Sequence, residues 1–137
     1  MKPIIALLDN HKHAARSLSL LLSDNGCETV IGSDALDVLL GLRALDRLNA
    51  IVVEQWNNGC GLADALSLRQ AVGWCVPILL LASRFDIPPN LEKSLPAFKV
   101  VPTPTESDVI VMALQDLIRA EETPSPREGV SVSVLGF

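Results

Sequence analysis

The sequence predicts a doubly wound α/β domain built on a five-stranded parallel sheet, and three observations carry that reading. Short runs of four or five apolar residues recur without polar alternation, as in IIALL, AIVV and ILLLA. Strands covered by helices on both faces read this way, because neither side of the sheet meets water. Between the runs lie stretches whose apolar residues are three and four apart, the period of a helix with one buried face. The two patterns alternate along the chain, which is the order of β-α units in a parallel sheet. The 137 residues, 49% of them apolar, suit a single domain with a proper core.

The elements follow in order. Ile4 to Leu8 is the first strand and stops abruptly at Asp9. His11 to Ser23 is a helix with Ala14, Ala15, Leu18, Leu21 and Leu22 at helical spacing. Asn25-Gly26 ends it, since glycine takes the left-handed conformation that closes helix ends. Cys27 to Ile31 is the second strand. Ser33 or Asp34 caps a second helix carrying Leu36, Leu39, Leu40, Leu42 and Leu45. Ala50 to Val53 is the third strand and ends at Glu54. The next loop holds Asn57, Asn58, Gly59 and Gly61 and turns tightly before a helix from Leu62 to about Val72. Pro77 leads into the fourth strand, ILLLA.

The stretch Ser83 to Pro96 carries Pro88, Pro89 and Pro96. An interior proline costs a helix about 3 kcal/mol, so only a short or irregular fourth helix is expected, at Leu91 to Leu95. Phe98 to Val101 is the fifth strand. Thr105 caps the last helix, with Asp108 three residues on in a capping-box arrangement, and that helix runs to about Ala120. The composition of EETPSPREG is that of a linker, so the chain divides into a domain over residues 1–120 and a linker or C-terminal tail over 121–137. In that tail Val130, Val132 and Val134 alternate with serines, which suits an extended segment added to the surface of the last helix and the strand beside it, or the start of a further domain.

Composition excludes several functions. The net charge of -5, without a cluster of Lys and Arg, leaves nothing to neutralise nucleic-acid phosphates. No apolar run approaches the roughly 18 residues of a membrane span, and the apolar start is too short for a signal peptide. Cys27, Cys60 and Cys75 show no CxxC spacing, so a reduced, cytoplasmic protein is expected. Cys27 and Cys75 are expected in or near the core, and Cys60 sits in the Gly-rich loop without a visible base to activate it. No phosphate loop, nucleotide fingerprint or Ser-His-Asp set is present, so no catalytic residues are nominated and the chain is not expected to be an enzyme.

In doubly wound sheets chemistry gathers at the carboxyl ends of the strands, and Asp9, Glu54, Ala82 and Thr103 fall there. Taken in order, IIALLDN, AIVVE, the Gly-Leu opening the third helix, PILLLAS and a Thr-Pro before the last helix resemble the receiver domain of bacterial response regulators. The resemblance covers residue 4 to about residue 120 and implies the flavodoxin/CheY-like fold. In that family a histidine kinase passes a phosphoryl group to an Asp at the end of the third strand. A Mg²⁺ ion, held by that Asp, by acids after the first strand and by a loop carbonyl, neutralises the two approaching anions. A Lys before a Pro after the fifth strand pairs with the phosphoryl oxygens, and a Thr or Ser at the end of the fourth strand reports the phosphoryl group.

Carried over residue by residue, the pattern is degenerate. Asp9 matches one acid, but its neighbour is Asn10. Glu54 stands in the acceptor position, and its extra methylene would overshoot an in-line geometry. Trp56 lies in the loop whose backbone would face a metal, as an interaction anchor or as packing over the site. Ala82 takes the hydroxyl position, with Ser83 one residue late. Thr103 precedes Pro104 where Lys is usual, which removes a charge-assisted contact. Mg²⁺ binding through Asp9 and Glu54 is therefore expected to be weak or absent, and no other cofactor is implied.

These departures imply a pseudo-receiver similar to the front domains of some enhancer-binding transcription activators. It would act in signal transduction or transcription regulation by contact with a protein partner or output domain. A homodimer is expected through Ile110 and Leu114, because the last helix carries apolar residues on more than one face; full burial in the monomer is the alternative. Other readings stay open. They are a phosphorylatable, Mg²⁺-dependent receiver with a non-standard acceptor, Glu54 as a permanent phosphoryl mimic, a metal site from His11, His13 and Glu54, and a doubly wound domain with an unrelated site.

Overall fold

A computed structural model describes residues 2–9, 13–42, 47–53, 60–73, 75–82, 90–95, 97–102 and 106–122. Five strands, β1 (Ile4–Leu8), β2 (Glu28–Gly32), β3 (Leu48–Val53), β4 (Ile78–Ala82) and β5 (Phe98–Pro102), pair in the order β2-β1-β3-β4-β5, and every pair is parallel. Helices α1 (His13–Asp24), α2 (Ala35–Gly41), α3 (Cys60–Val72), α4 (Leu91–Ser94) and α5 (Ser107–Glu122) connect and cover them. This is the doubly wound sheet that the apolar runs predict.

The core has two halves, one on each face of the sheet. Ile5, Leu7, Val52 and Leu79 meet Leu18 and Leu22 of α1 and Ile110, Leu114 and Ile118 of α5. On the other face Ala6, Leu8, Ile51, Val53, Ile78 and Leu80 meet Val38 of α2 and Leu62, Ala65 and Leu68 of α3. Alternate residues of each strand thus serve opposite layers. The central strands β1 and β4, and β3 apart from Asn49 near its start, are apolar because both faces are covered.

Local signals behave as their chemistry dictates. Gly26 adopts φ 84 and closes α1. Asp34 is the N-cap of α2, accepting a 2.8 Å hydrogen bond from the Asp37 N–H, while Asp37 accepts one of 2.9 Å from the Ser33 N–H. Each carboxylate satisfies a backbone donor that the helix start leaves open. α4 is a single turn, flanked by Asn90 at φ 67 and Ala97 at φ 48, both in the left-handed region that non-glycine residues rarely occupy.

Several expectations need correction. α2 ends at Gly41, so Leu42 lies outside it, while Leu36 and Leu40 are exposed. The side chain that anchors α2 is Val38, which packs where a Cβ on Gly32 would clash. Cys27 is buried and its thiol pushed up by desolvation, but Cys75 is exposed, because it precedes β4 in the turn after α3. α3 begins at Cys60, two residues before Leu62.

The largest correction concerns α5. Ile110 and Leu114, expected at an interaction surface, are core residues packed against the sheet and α1. The exposed apolar side chains of this helix are Val109 and Met112. Apolar residues on several faces report a helix that is buried over a wide arc, and they do not say which side remains free.

Candidate functional site

The carboxyl edge of the sheet is built by strand ends in register. Leu8 of β1 pairs Val53 of β3, and Ala82 of β4 pairs Pro102 of β5. Asp9, Glu54 and Thr103 each follow directly in the chain, so this edge is where the sequence places the degenerate pocket. Asp9 is 3% exposed, and its N–H donates to the Gly32 carbonyl at 3.0 Å, continuing the β1–β2 ladder one residue past the strand. A carboxyl group held this deeply is positioned by the backbone on which it sits. Ala82 is also buried at 4% exposure, and a methyl group there offers no hydroxyl to an incoming oxyanion.

Asp9 and Ala82 are thus placed by the structure at the ends of strands in one sheet. Asn10, Glu54, Trp56, Ser83, Thr103 and Pro104, with His11, lie outside the described residues, as does the side chain of His13.

Acidic groups gather on the flank of this edge. Asp64 sits in the second turn of α3, and its carboxyl is pushed above the usual range by burial and, secondarily, by the negative charge of Asp34. The negative charge of Asp34 disfavours the ionised form of Asp64. Among the described residues no group of three His, Cys, Asp or Glu side chains is arranged to hold a metal ion.

The opposite, amino edge of the sheet holds a residue that sequence reading missed. Arg69, in the last turn of α3, is fully buried, and its Nη1 donates to the carbonyls of Val76 and Ala97, each at 3.4 Å. Those carbonyls precede β4 and β5, so one guanidinium bridges the entries of two neighbouring strands. A signal was present. Leu62, Ala65, Arg69 and Val72 fall at helical spacing on the face that α3 turns to the sheet. An arginine at a core-facing register has to find carbonyl or carboxylate partners.

Comparison with known proteins rests on structure. No family model and no curated protein matches the sequence. Among solved structures, the chemotaxis protein CheY4 of Vibrio cholerae superposes with a TM-score of 0.69 at 20% identity, covering 85% of this chain and 99% of that one. A response regulator receiver protein from Sinorhizobium medicae gives 0.68 at 16% identity, covering 88% and 97%. This is the receiver fold. Full-length FixJ from B. japonicum gives 0.71 at 25% identity, covering 89% of this chain and 60% of that one. At such identities the receiver fold is shared and its chemistry is not implied, so the strand ends have to be read on their own residues. No helix among the described residues is long and apolar enough to cross a membrane.

Proposed function

We propose that this chain is a pseudo-receiver, a regulatory module that acts through protein–protein contacts without phosphorylation of an acceptor carboxylate, and that it is not an enzyme. The observation that carries this reading is the residue set at the carboxyl strand ends: Glu54 after β3, the buried methyl of Ala82 at the end of β4, and Thr103 after β5. Phosphoryl transfer needs an acceptor at in-line distance, a cation to neutralise it and a donor to report it. Each of these three positions holds a residue that lacks the corresponding group or misplaces it. Asp9 and Pro104 keep the family's residue type, and Asp9, a carboxylate that could meet a cation, favours the second reading, a Mg²⁺-dependent receiver with a non-standard acceptor.

The test is incubation with acetyl phosphate and Mg²⁺, followed by intact mass and by tryptophan fluorescence during a Mg²⁺ titration. The expected result is no added phosphoryl mass and no saturable response below millimolar Mg²⁺. A mass gain of one phosphoryl group that disappears in Glu54→Gln would establish the second reading instead.

Output in this proposal passes through a surface. Residues 1–120 form the module and 121–137 its linker or C-terminal tail, and output goes to a protein partner or output domain, as in a regulator of transcription working in the cytoplasm. Self-association is assigned to the exposed side of α5, through Val109 and Met112. We expect a dimer at tens of micromolar, where weak specific interfaces fill, and a monomer for Met112→Asp. Sedimentation of the unaltered chain as a monomer at that concentration removes the dimer from the proposal.

A further inference from the structure

The two edges of the sheet are unequal. At β5 the Ile78 N–H donates to the Ala97 carbonyl, so the backbone groups of residues 97, 99 and 101 turn inward to β4. Phe98, Val100 and Pro102 therefore turn outward, and Pro102 has no N–H to offer. With the exposed Lys99, that edge carries two of the devices by which sheets refuse a further strand. At β2 the Glu28 N–H donates to Pro3 and the Gly32 carbonyl accepts from Asp9, so residues 28, 30 and 32 turn inward. Thr29 and Ile31 present both of their backbone groups outward, and β2 contains neither proline nor lysine. This edge is open to pairing.

A groove of about 470 Å³ runs along it, between α1 and the end of α2. Its α1 side carries the hydroxyls of Ser19 and Ser23 with the exposed Leu20 between them, and Ser19 is hydrogen-bonded to Thr29 of β2. Its α2 side carries Val30 and Gly41, where a Cβ on Gly41 would lie 2.9 Å from Val30; the exposed Leu36 and Leu40 of α2 lie outside the groove lining, and Lys2 stands at its amino end. Hydroxyls are thus found on the α1 side alone, and the α2 side is apolar.

We propose that the segment Val130–Val134 of this same chain docks in that groove as a sixth, parallel strand on β2. Its alternation fits the walls: Val130, Val132 and Val134 toward the apolar α2 side, Ser131 and Ser133 toward the hydroxyls of α1. Its five residues match the five of β2. The path is available. α5 starts after the carboxyl end of β5 and returns along the sheet, so Glu122 comes to the amino edge, where β2 begins. α5 packs over the same face as α1, so a crossover from β5 to the outer side of β2 has the same hand as β1-α1-β2. From above β3 to a new strand outside β2 is about 14 Å, three strand spacings. The linker 123–129 contains Pro124 and Pro126, and at about 3.1 Å per residue it reaches roughly 22 Å.

Amide hydrogen exchange of the full chain, read by NMR at single residues, tests this. The Thr29 and Ile31 amides are expected to be protected, and Val132→Asp in the tail or Leu40→Asp on α2, next to the groove residue Gly41, is expected to speed their exchange by about tenfold or more while the inward Val30 amide keeps its rate. Two variants on opposite sides of the contact guard against a fold defect in either one. Unprotected Thr29 and Ile31 amides in the unaltered chain, or protection that survives Val132→Asp, would overturn the proposal. Protection that grows with protein concentration would also overturn it, by assigning the edge to a second copy.

Discussion

The two ends of the sheet use their buried polar groups differently. At the amino end Arg69 is sealed under α3 and spans the carbonyls that open β4 and β5. At the carboxyl end Asp9 and Ala82 are buried at the ends of β1 and β4. The first arrangement holds strands together, and the second occupies the place where a receiver does its chemistry. The chain shares the fold of CheY4 at a TM-score of 0.69 with 20% identity. Substitutions at the two ends should therefore differ in kind, stability at one and charge chemistry at the other.

The largest effect is expected at Arg69. Arg69→Ala leaves a cavity, takes the guanidinium donor from the Val76 carbonyl and leaves the Ala97 carbonyl with the Ile78 N–H as its donor, and should cost about 3 kcal/mol or more in chemical denaturation. Arg69→Met fills similar space without the donors, so its smaller loss, about 1–2 kcal/mol, isolates the hydrogen bonds. Equal stability of both variants and the unaltered chain would erase the contrast between the ends. Next comes Ala97, held at φ 48 beside the carbonyl that Arg69 reaches. Ala97→Gly removes a left-handed strain of about 1–2 kcal/mol and returns part of it as unfolded-chain entropy, so a net gain of about 1 kcal/mol is expected from the same measurement.

The smallest effect belongs to the carboxyl end. The Asp64 carboxyl is raised above 3.8 in the folded chain, chiefly by burial and then by Asp34. Below 3.8 the group is protonated whether folded or not, and the ionisation penalty is absent. As pH rises through the folded value, the penalty appears in full. Asp64→Asn should therefore stabilise the chain slightly at neutral pH and have no such benefit in acid. A thermal-melt series across pH checks this, and a benefit that persists unchanged in acid would assign the effect to packing.

Much of this protein was legible in its residues because the relevant physics is local. The apolar runs of β1, β3 and β4 name strands covered on both faces, Gly26 and Asp34 name helix ends, and Pro88, Pro89 and Pro96 exclude a long fourth helix. What only the tertiary structure decided was which side of each element faces what. Ile110 and Leu114 went to the core, while Val109 and Met112 stayed outside, because the sheet and α1 together take a wide arc of α5. Cys75 came to the surface in a turn, and Leu36 and Leu40 were left exposed on α2. Arg69 went inside, because two carbonyls from other elements met it there. Periodicity counts apolar positions along one element, but burial is set by neighbours far away in the chain, and those exist only once the sheet has formed.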